Sequence, residues 1–365
     1  MSPNGRIHSM DQFRGYTMAG MFLVNFIGAF AAVHPVLKHH NTYNSYADTI
    51  MPHFFFAVGF AFRLAVVRNI GKLGSAIAYK KAITRCLSLI LIGLVVYHLD
   101  GRYKTWQDLA NVGWWGFVTQ SFWRSPFQAL VHIAVTSLWV LPVIAASKRT
   151  RIAWMVGSAA LHLGLSSWFW FDLLHAKRVI DGGPLGFLTW SIPTLVGSLA
   201  YDWVSERGAR PSLRPLVRWG VILGVFGYGL SCIAVIFAPE RLSGWAGWFA
   251  APPFWPPVHP VTLWTMSQQA GSNSYLWFSA GLSLLVYAAF VWWSDVKANQ
   301  WSLFRVFGLN PLAGYILHAL VGDAVRPFAP SDSPLFWVVF VFLVYFGITW
   351  LLLWGLDRQK IYLRM

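Results

Sequence analysis

Apolar runs of about twenty residues recur along the chain, separated by short polar stretches and bounded by charged residues, Pro or Gly. Crossing ~30 Å of hydrocarbon takes about 20 helical residues. Ten such runs occur, roughly at 14–34, 48–70, 76–98, 126–147, 152–175, 185–204, 215–238, 274–294, 304–324 and 334–356. The pattern predicts an all-α, polytopic transmembrane helix bundle of about ten spans, a single domain over residues 1–365. The first run is too long for a signal-peptide core and has no small-residue cleavage pattern, so it reads as a true span.

Charge refines the picture. With ten spans, the connections on the side of the N-terminus hold 20 of the 28 Lys and Arg residues and those on the other side hold 8. Lys and Arg favour the cytoplasmic side of short connections, which predicts both termini in the cytoplasm. An odd number of spans would scramble the asymmetry.

Composition agrees: 56% of residues are hydrophobic and 11% charged, against about 25% charged in a soluble domain. The net charge of +15 would suggest nucleic acid on a soluble protein. Here the cations cluster between apolar runs, so topology explains them and no nucleic-acid partner is expected. Cys86 and Cys232 sit far apart within apolar runs and read as packing residues. Two long outer connections, 99–125 and 239–273, are rich in Trp and predict short helices or re-entrant pieces at the headgroup layer.

Ionisable and amide residues inside apolar runs are the candidate chemistry, because burying them in a bilayer is costly. Asp11 and Arg14, three apart, share a helical face at the inner end of the first run, and Asn25 lies near its mid-depth. Asp48 and His53 open the second run, while His132 and His162 lie in the fourth and fifth. Asn310 and His318, eight apart, fall on one stripe of a continuous ninth helix, about 12 Å from each other along its axis. Between the first two runs, HPVLKHHNTYNSYADTIMPH holds His34, His39, His40 and His53 in 20 residues. No Cys pair, H-x-x-x-H or HExxH accompanies them, so no metal is expected. A neutral imidazole near pH 7 suits a general base.

SMDQFRG at 9–15, KHH at 38–40, ADTIMPHFFFAVG at 47–59, Arg85, VFGLNPLAGYILH at 306–318 and the closing RQKIYLRM resemble, in order, the catalytic region of the heparan-alpha-glucosaminide N-acetyltransferases. The likeness spans almost the whole chain and is to the compact bacterial relatives. It implies an integral protein of the bacterial inner membrane that takes acetyl from cytoplasmic acetyl-CoA and delivers it to an amino sugar or glycan on the far side. Acetyl-CoA is a substrate here, and membrane lipids are the surroundings. The resemblance makes His39 the catalytic residue, with His40 as the alternative. Beside it, Asp48 is expected to fix the imidazole tautomer, as a carboxylate does for a catalytic histidine, and His318 and Asn310 to donate hydrogen bonds to the thioester oxygen or the oxyanion. Arg14, Arg85 and Asn25 are the donor-binding candidates, with Lys80 and Lys81 behind them and Asp11 orienting Arg14.

Where the family carries Trp-Asn-Gly, Pro-Trp and Gln-Arg, this chain has NTYNSY at 41–46, Pro52-His53 and Val131-His132. All three departures lie on the acceptor side. Direct attack and an acetyl-histidine intermediate both stay open, as does a homodimer. The runner-up function is an O-acyltransferase of a periplasmic glycan or lipid headgroup. A secondary transporter ranks lower, because no internal repeat is found.

Overall fold

In a computed structural model the chain is described over residues 7–40, 42–97, 103–121, 127–176, 181–236 and 261–363. Among the described residues the regular structure is helical and contains no strand. The helices are α1 (His8–Ile27), α2 (Tyr46–Leu73), α3 (Ser75–Tyr97), α4 (Trp106–Ser121), α5 (Ala129–Ile144), α6 (Lys148–Leu165), α7 (Phe171–Ala176), α8 (Phe187–Arg207), α9 (Ala209–Ile236), α10 (Asn273–Phe290), α11 (Ser302–Leu309), α12 (Pro311–Val325) and α13 (Leu335–Arg358). A π turn at Ser166–Trp170 joins α6 to α7, and another at Val291–Val296 extends α10.

Five segments are long and apolar enough to cross a bilayer: Tyr46–Leu73, Lys148–His175, Ala209–Ile233, Asn273–Val296 and Leu335–Arg358. The pair α11 and α12 would make six if it counts as one broken span. Composition explains why their neighbours fall short. α3 carries Lys80, Lys81 and Arg85 within its length, α1 opens with Asp11, Gln12 and Arg14, and α5 has 16 residues.

α8 is the central pillar and is buried on nearly every face. A helix enclosed all round needs no polar stripe. Its Ser and Thr hydroxyls donate to carbonyls within the same helix: Ser191 to Leu188 (2.6 Å), Thr194 to Trp190 (2.9 Å) and Ser198 to Leu195 (2.6 Å). The absence of bulk decides how α2 meets it. A Cβ on Gly59 would fall 1.7 Å from the Thr194 carbonyl oxygen, and one on Gly197 would fall 2.0 Å from that of Phe56. A second reciprocal pair joins α1 to α11, where Cβ atoms on Gly15 and Gly308 would strike the Phe304 and Asp11 carbonyls at 1.7 and 1.9 Å. Small residues that let backbones touch are the usual means of helix association in lipid.

The start of α1 and the end of α13 lie at one end of the bundle. There the Ser9 N–H donates to Asp295 (3.1 Å), Gln12 exchanges hydrogen bonds with Trp301 and Arg305 pairs with Asp357 (3.5 Å). The same end holds a buried triad. Arg63 donates to Asp202 (3.1 Å) and to the Ile144 carbonyl (2.7 Å), while the fully buried Arg151 donates to Asp202 and to Ser198 (2.7 Å). Arg63 and Arg151, counted above as topology signals, thus tie α2, α6 and α8 together.

The expected continuous ninth helix is corrected. Asn310 has φ −132° and ψ 55°, and α11 and α12 meet there at 97°. Pro311 explains the break, since the residue before a proline is pushed out of the helical region. Asn310 is held at this corner by the C-terminal tail: its side chain donates to the Ile361 carbonyl (2.8 Å) and accepts from the Leu363 N–H (3.0 Å). In the connection 99–125, expected to be outer, α4 is short and broken at Gly113 (φ 65°), with Trp106, Trp114 and Trp115 exposed. The expected features at Trp123, Trp245, Trp248 and Trp255 lie outside the described residues.

Candidate functional site

The loop between α1 and α2 ends in a capping box. Ser45 is the N-cap of α2, and Asp48, three residues on, accepts the Ser45 N–H (3.1 Å). The same carboxylate, almost completely buried, accepts from the His40 N–H (3.2 Å) and from His39 Nδ1 (2.9 Å). A local device that starts a helix therefore also orients an imidazole. Pro52 adds a second lock. It has no N–H for the Asp48 carbonyl four residues back, and that carbonyl instead accepts the Tyr275 hydroxyl of α10 at 2.5 Å.

A carboxylate only accepts, so His39 Nδ1 carries the proton and Nε2 the lone pair. The imidazole is 49% exposed and lines a cavity of about 1090 Å³. Burial alone would lower its pKa, but the hydrogen bond and charge of Asp48, helped by the charge of Asp181, outweigh it and the net shift is upward. The His40 ring is turned elsewhere, stacking on Tyr43 (4.2 Å) with its Nε2 donating to the Pro35 carbonyl (2.8 Å). Of the two adjacent histidines, His39 is the one that lines the cavity.

The cavity wall is formed by α1, α2, α3, α5 and α12 together with the α1–α2 loop and the turns at Asp181 and Gln268. Its lining includes Asn25 and Arg85. Arg85 sits ten residues into α3, about 15 Å along that helix. It has no ion pair or hydrogen bond among the described residues, although its surroundings are largely apolar. An unpaired guanidinium there calls for an anion.

Two lining residues escaped the sequence reading. Gln268 presents its Oε1 to His39 Nδ1 (3.2 Å) and donates through Nε2 to Asp181 (2.7 Å), so one amide bridges the imidazole and a second buried carboxylate. Asp181 lies in the turn before α8 with φ 56°, followed by Gly182 and Gly183, also at positive φ. Asp tolerates this region better than most residues. Burial pushes its carboxyl up to about 6, against the opposing Gln268 hydrogen bond. The signal available was the DGGP turn ahead of an apolar run.

The remaining candidates lie elsewhere. Arg14 and Asp11 pair at 3.6 Å, as their spacing suggests, and neither lines the cavity. Asn310 is taken up by the tail, although its neighbours Pro311 and Leu312 do line the cavity. His318 stands behind Tyr315, with its Nδ1 bonded to the Tyr315 carbonyl (2.6 Å) and its ring stacked on Phe22. His53 is absorbed into packing through Ser283 of α10 (2.7 Å). Among the described residues no cluster of three or more His, Cys, Asp and Glu side chains is placed to hold a metal.

The arrangement is that of a helical protein with segments long and apolar enough to cross a bilayer, in which a carboxylate-oriented imidazole lines the same cavity as an arginine that has no ion pair or hydrogen bond among the described residues. No family model and no curated protein matches the chain.

Proposed function

We propose that the chain is an integral membrane acyltransferase that moves acetyl from acetyl-CoA to an amino sugar or glycan on the opposite side of the bilayer. Its helices cross about ten times, both termini are cytoplasmic and the membrane is a bacterial inner membrane. One observation carries the reading: His39, with a free basic Nε2, and Arg85, with no ion pair or hydrogen bond among the described residues, line the same cavity. At about 1090 Å³ the cavity is slightly larger than the ~300–1,000 Å³ usual for small-molecule sites. The order of sequence motifs adds support.

In this scheme Arg85 holds an anionic part of the donor, and Asn25 and Tyr315 flank the pantetheine arm. The thioester is brought to His39. Nε2 removes a proton from the acceptor amine as its nitrogen attacks the thioester carbonyl. The C–S bond then breaks, and the proton held on His39 passes to the departing CoA thiolate. Asp48 stabilises the imidazolium formed in between. Arg14, Asn310 and His318, set apart from the cavity, take no part.

The test is transfer of labelled acetyl from acetyl-CoA to glucosamine across sealed vesicles. His39→Ala is expected to abolish transfer while leaving CoA binding intact, and Arg85→Gln to weaken CoA binding at least tenfold. Full turnover by the His39 variant would overturn the proposal.

A further inference from the structure

A second cavity, of about 590 Å³, lies between α6 and α9, with α8 and α10 beneath it. None of its lining residues lines the His39 cavity. Its lining is almost entirely apolar, including Leu199 of α8 and Leu284 of α10. It is open along one side, since Val156 and Phe226 on its rims are 52% and 48% exposed. From Lys148 to Leu163 it follows α6 for fifteen residues, about 22 Å.

Volume decides what fits. A helix about 10 Å across and of that length fills roughly 1,700 Å³, about three times the groove, whereas a single acyl chain is slender enough. Charge decides which chain. Lys148 lines the groove at one end and is joined to Glu206 at 2.5 Å, which brings the start of α6 to the end of α8. Arg149 follows Lys148, and Arg207 and Arg210 flank the α8–α9 turn at Gly208. All three are exposed and have no ion pair among the described residues. Residues 148–218 carry seven Lys and Arg at this end against two carboxylates, and Asp202 is already committed to Arg63 and Arg151.

We infer that this groove is a binding site for an anionic phospholipid of the leaflet at the level of the start of α1 and the end of α13. One acyl chain lies between α6 and α9, and the phosphate meets Lys148, Arg149, Arg207 and Arg210. Each cation near an anionic headgroup is worth about a fivefold preference.

The test uses the full chain in nanodiscs of equal phosphatidylglycerol and phosphatidylcholine, with native mass spectrometry of the lipids that remain bound. Phosphatidylglycerol is expected to be retained at least tenfold over phosphatidylcholine and to raise the thermal midpoint. Arg210→Gln lowers the preference about fivefold, and Val156→Trp, on an exposed rim, fills the groove and removes both lipids. Equal retention of the two lipids overturns the inference. Retention unchanged in Val156→Trp does the same, as does disulfide cross-linking of two copies through Val156→Cys, which would make the groove an interface.

Discussion

Asp48→Asn gives the sharpest test of the His39 geometry. Three N–H donors converge on the carboxylate, His39 Nδ1 on one oxygen and the His40 and Ser45 N–H groups on or toward the other, while the single Ser45 hydroxyl proton is shared between that second oxygen (2.8 Å) and the Lys38 carbonyl (2.6 Å). An amide offers one acceptor oxygen and two new N–H donors. Two N–H donors on one side against one on the other place the asparagine oxygen toward Ser45, where the capping box survives. The NH₂ then faces His39 Nδ1 and favours the tautomer with the proton on Nε2, where it disables the base, leaving the Gln268 Oε1 at 3.2 Å as the remaining acceptor for an Nδ1 proton. Loss of the charge-assisted bond costs about 1.5–3 kcal/mol of stability. Loss of the correct tautomer costs ~10²–10⁴ in transfer rate. The pH profile separates the two effects. In the native protein transfer rises with pH as His39 deprotonates, with a midpoint above the ordinary imidazole value because Asp48 raises it. Any residual activity of the variant should titrate at lower pH, since burial then acts against weaker opposition. Transfer within tenfold of the native rate, at an unchanged midpoint, would refute the assigned role of Asp48.

Three further outcomes follow from the packing. Asp181 is raised to about 6, so between the ordinary carboxylate value near 4 and pH 6 the folded state holds a proton that the unfolded state has lost. Stability therefore falls as pH rises through that window. Asp181→Asn should raise the thermal midpoint at pH 7.5, by the equivalent of about 2–3 kcal/mol, and leave it nearly unchanged at pH 4. Asp202→Ala strands two guanidinium groups among α2, α6 and α8 and should cost about 3–5 kcal/mol in denaturant titration. A further Arg63→Met change should recover part of that loss. Gly59→Ala drives a methyl group into the Thr194 carbonyl and should lower the thermal midpoint by several degrees, whereas Gly71→Ala, with open space around it, should not.

The helical class was plain from the unbroken apolar run of α13, and the Asp48 capping box could be read from S-x-x-D alone. Less of the site could be read. Gln268 and Asp181 are 87 residues apart, and each sits in a turn whose hydropathy gives no warning. Their meeting depends on two turns packing against each other, a property of tertiary structure. The Asn310–Pro311 step did carry a signal for the break, but averaging over a twenty-residue window hid it, and Asn310 with His318 was consequently set on one stripe. The charge count treated Arg63 and Arg151 like any loop cation, because net charge cannot distinguish a solvated guanidinium from one that donates to a buried aspartate. The Gly59 and Gly197 pair was equally silent, since neither shows its partner without the crossing.

The tail that grips Asn310 sets an order of events in biosynthesis. Leu363 is made 53 residues after the side chain it binds. At ~5–20 residues per second, the corner between α11 and α12 stays unlatched for roughly 3–10 s while α13 is being made. The floor beneath the large cavity is thus among the last parts of the molecule to set.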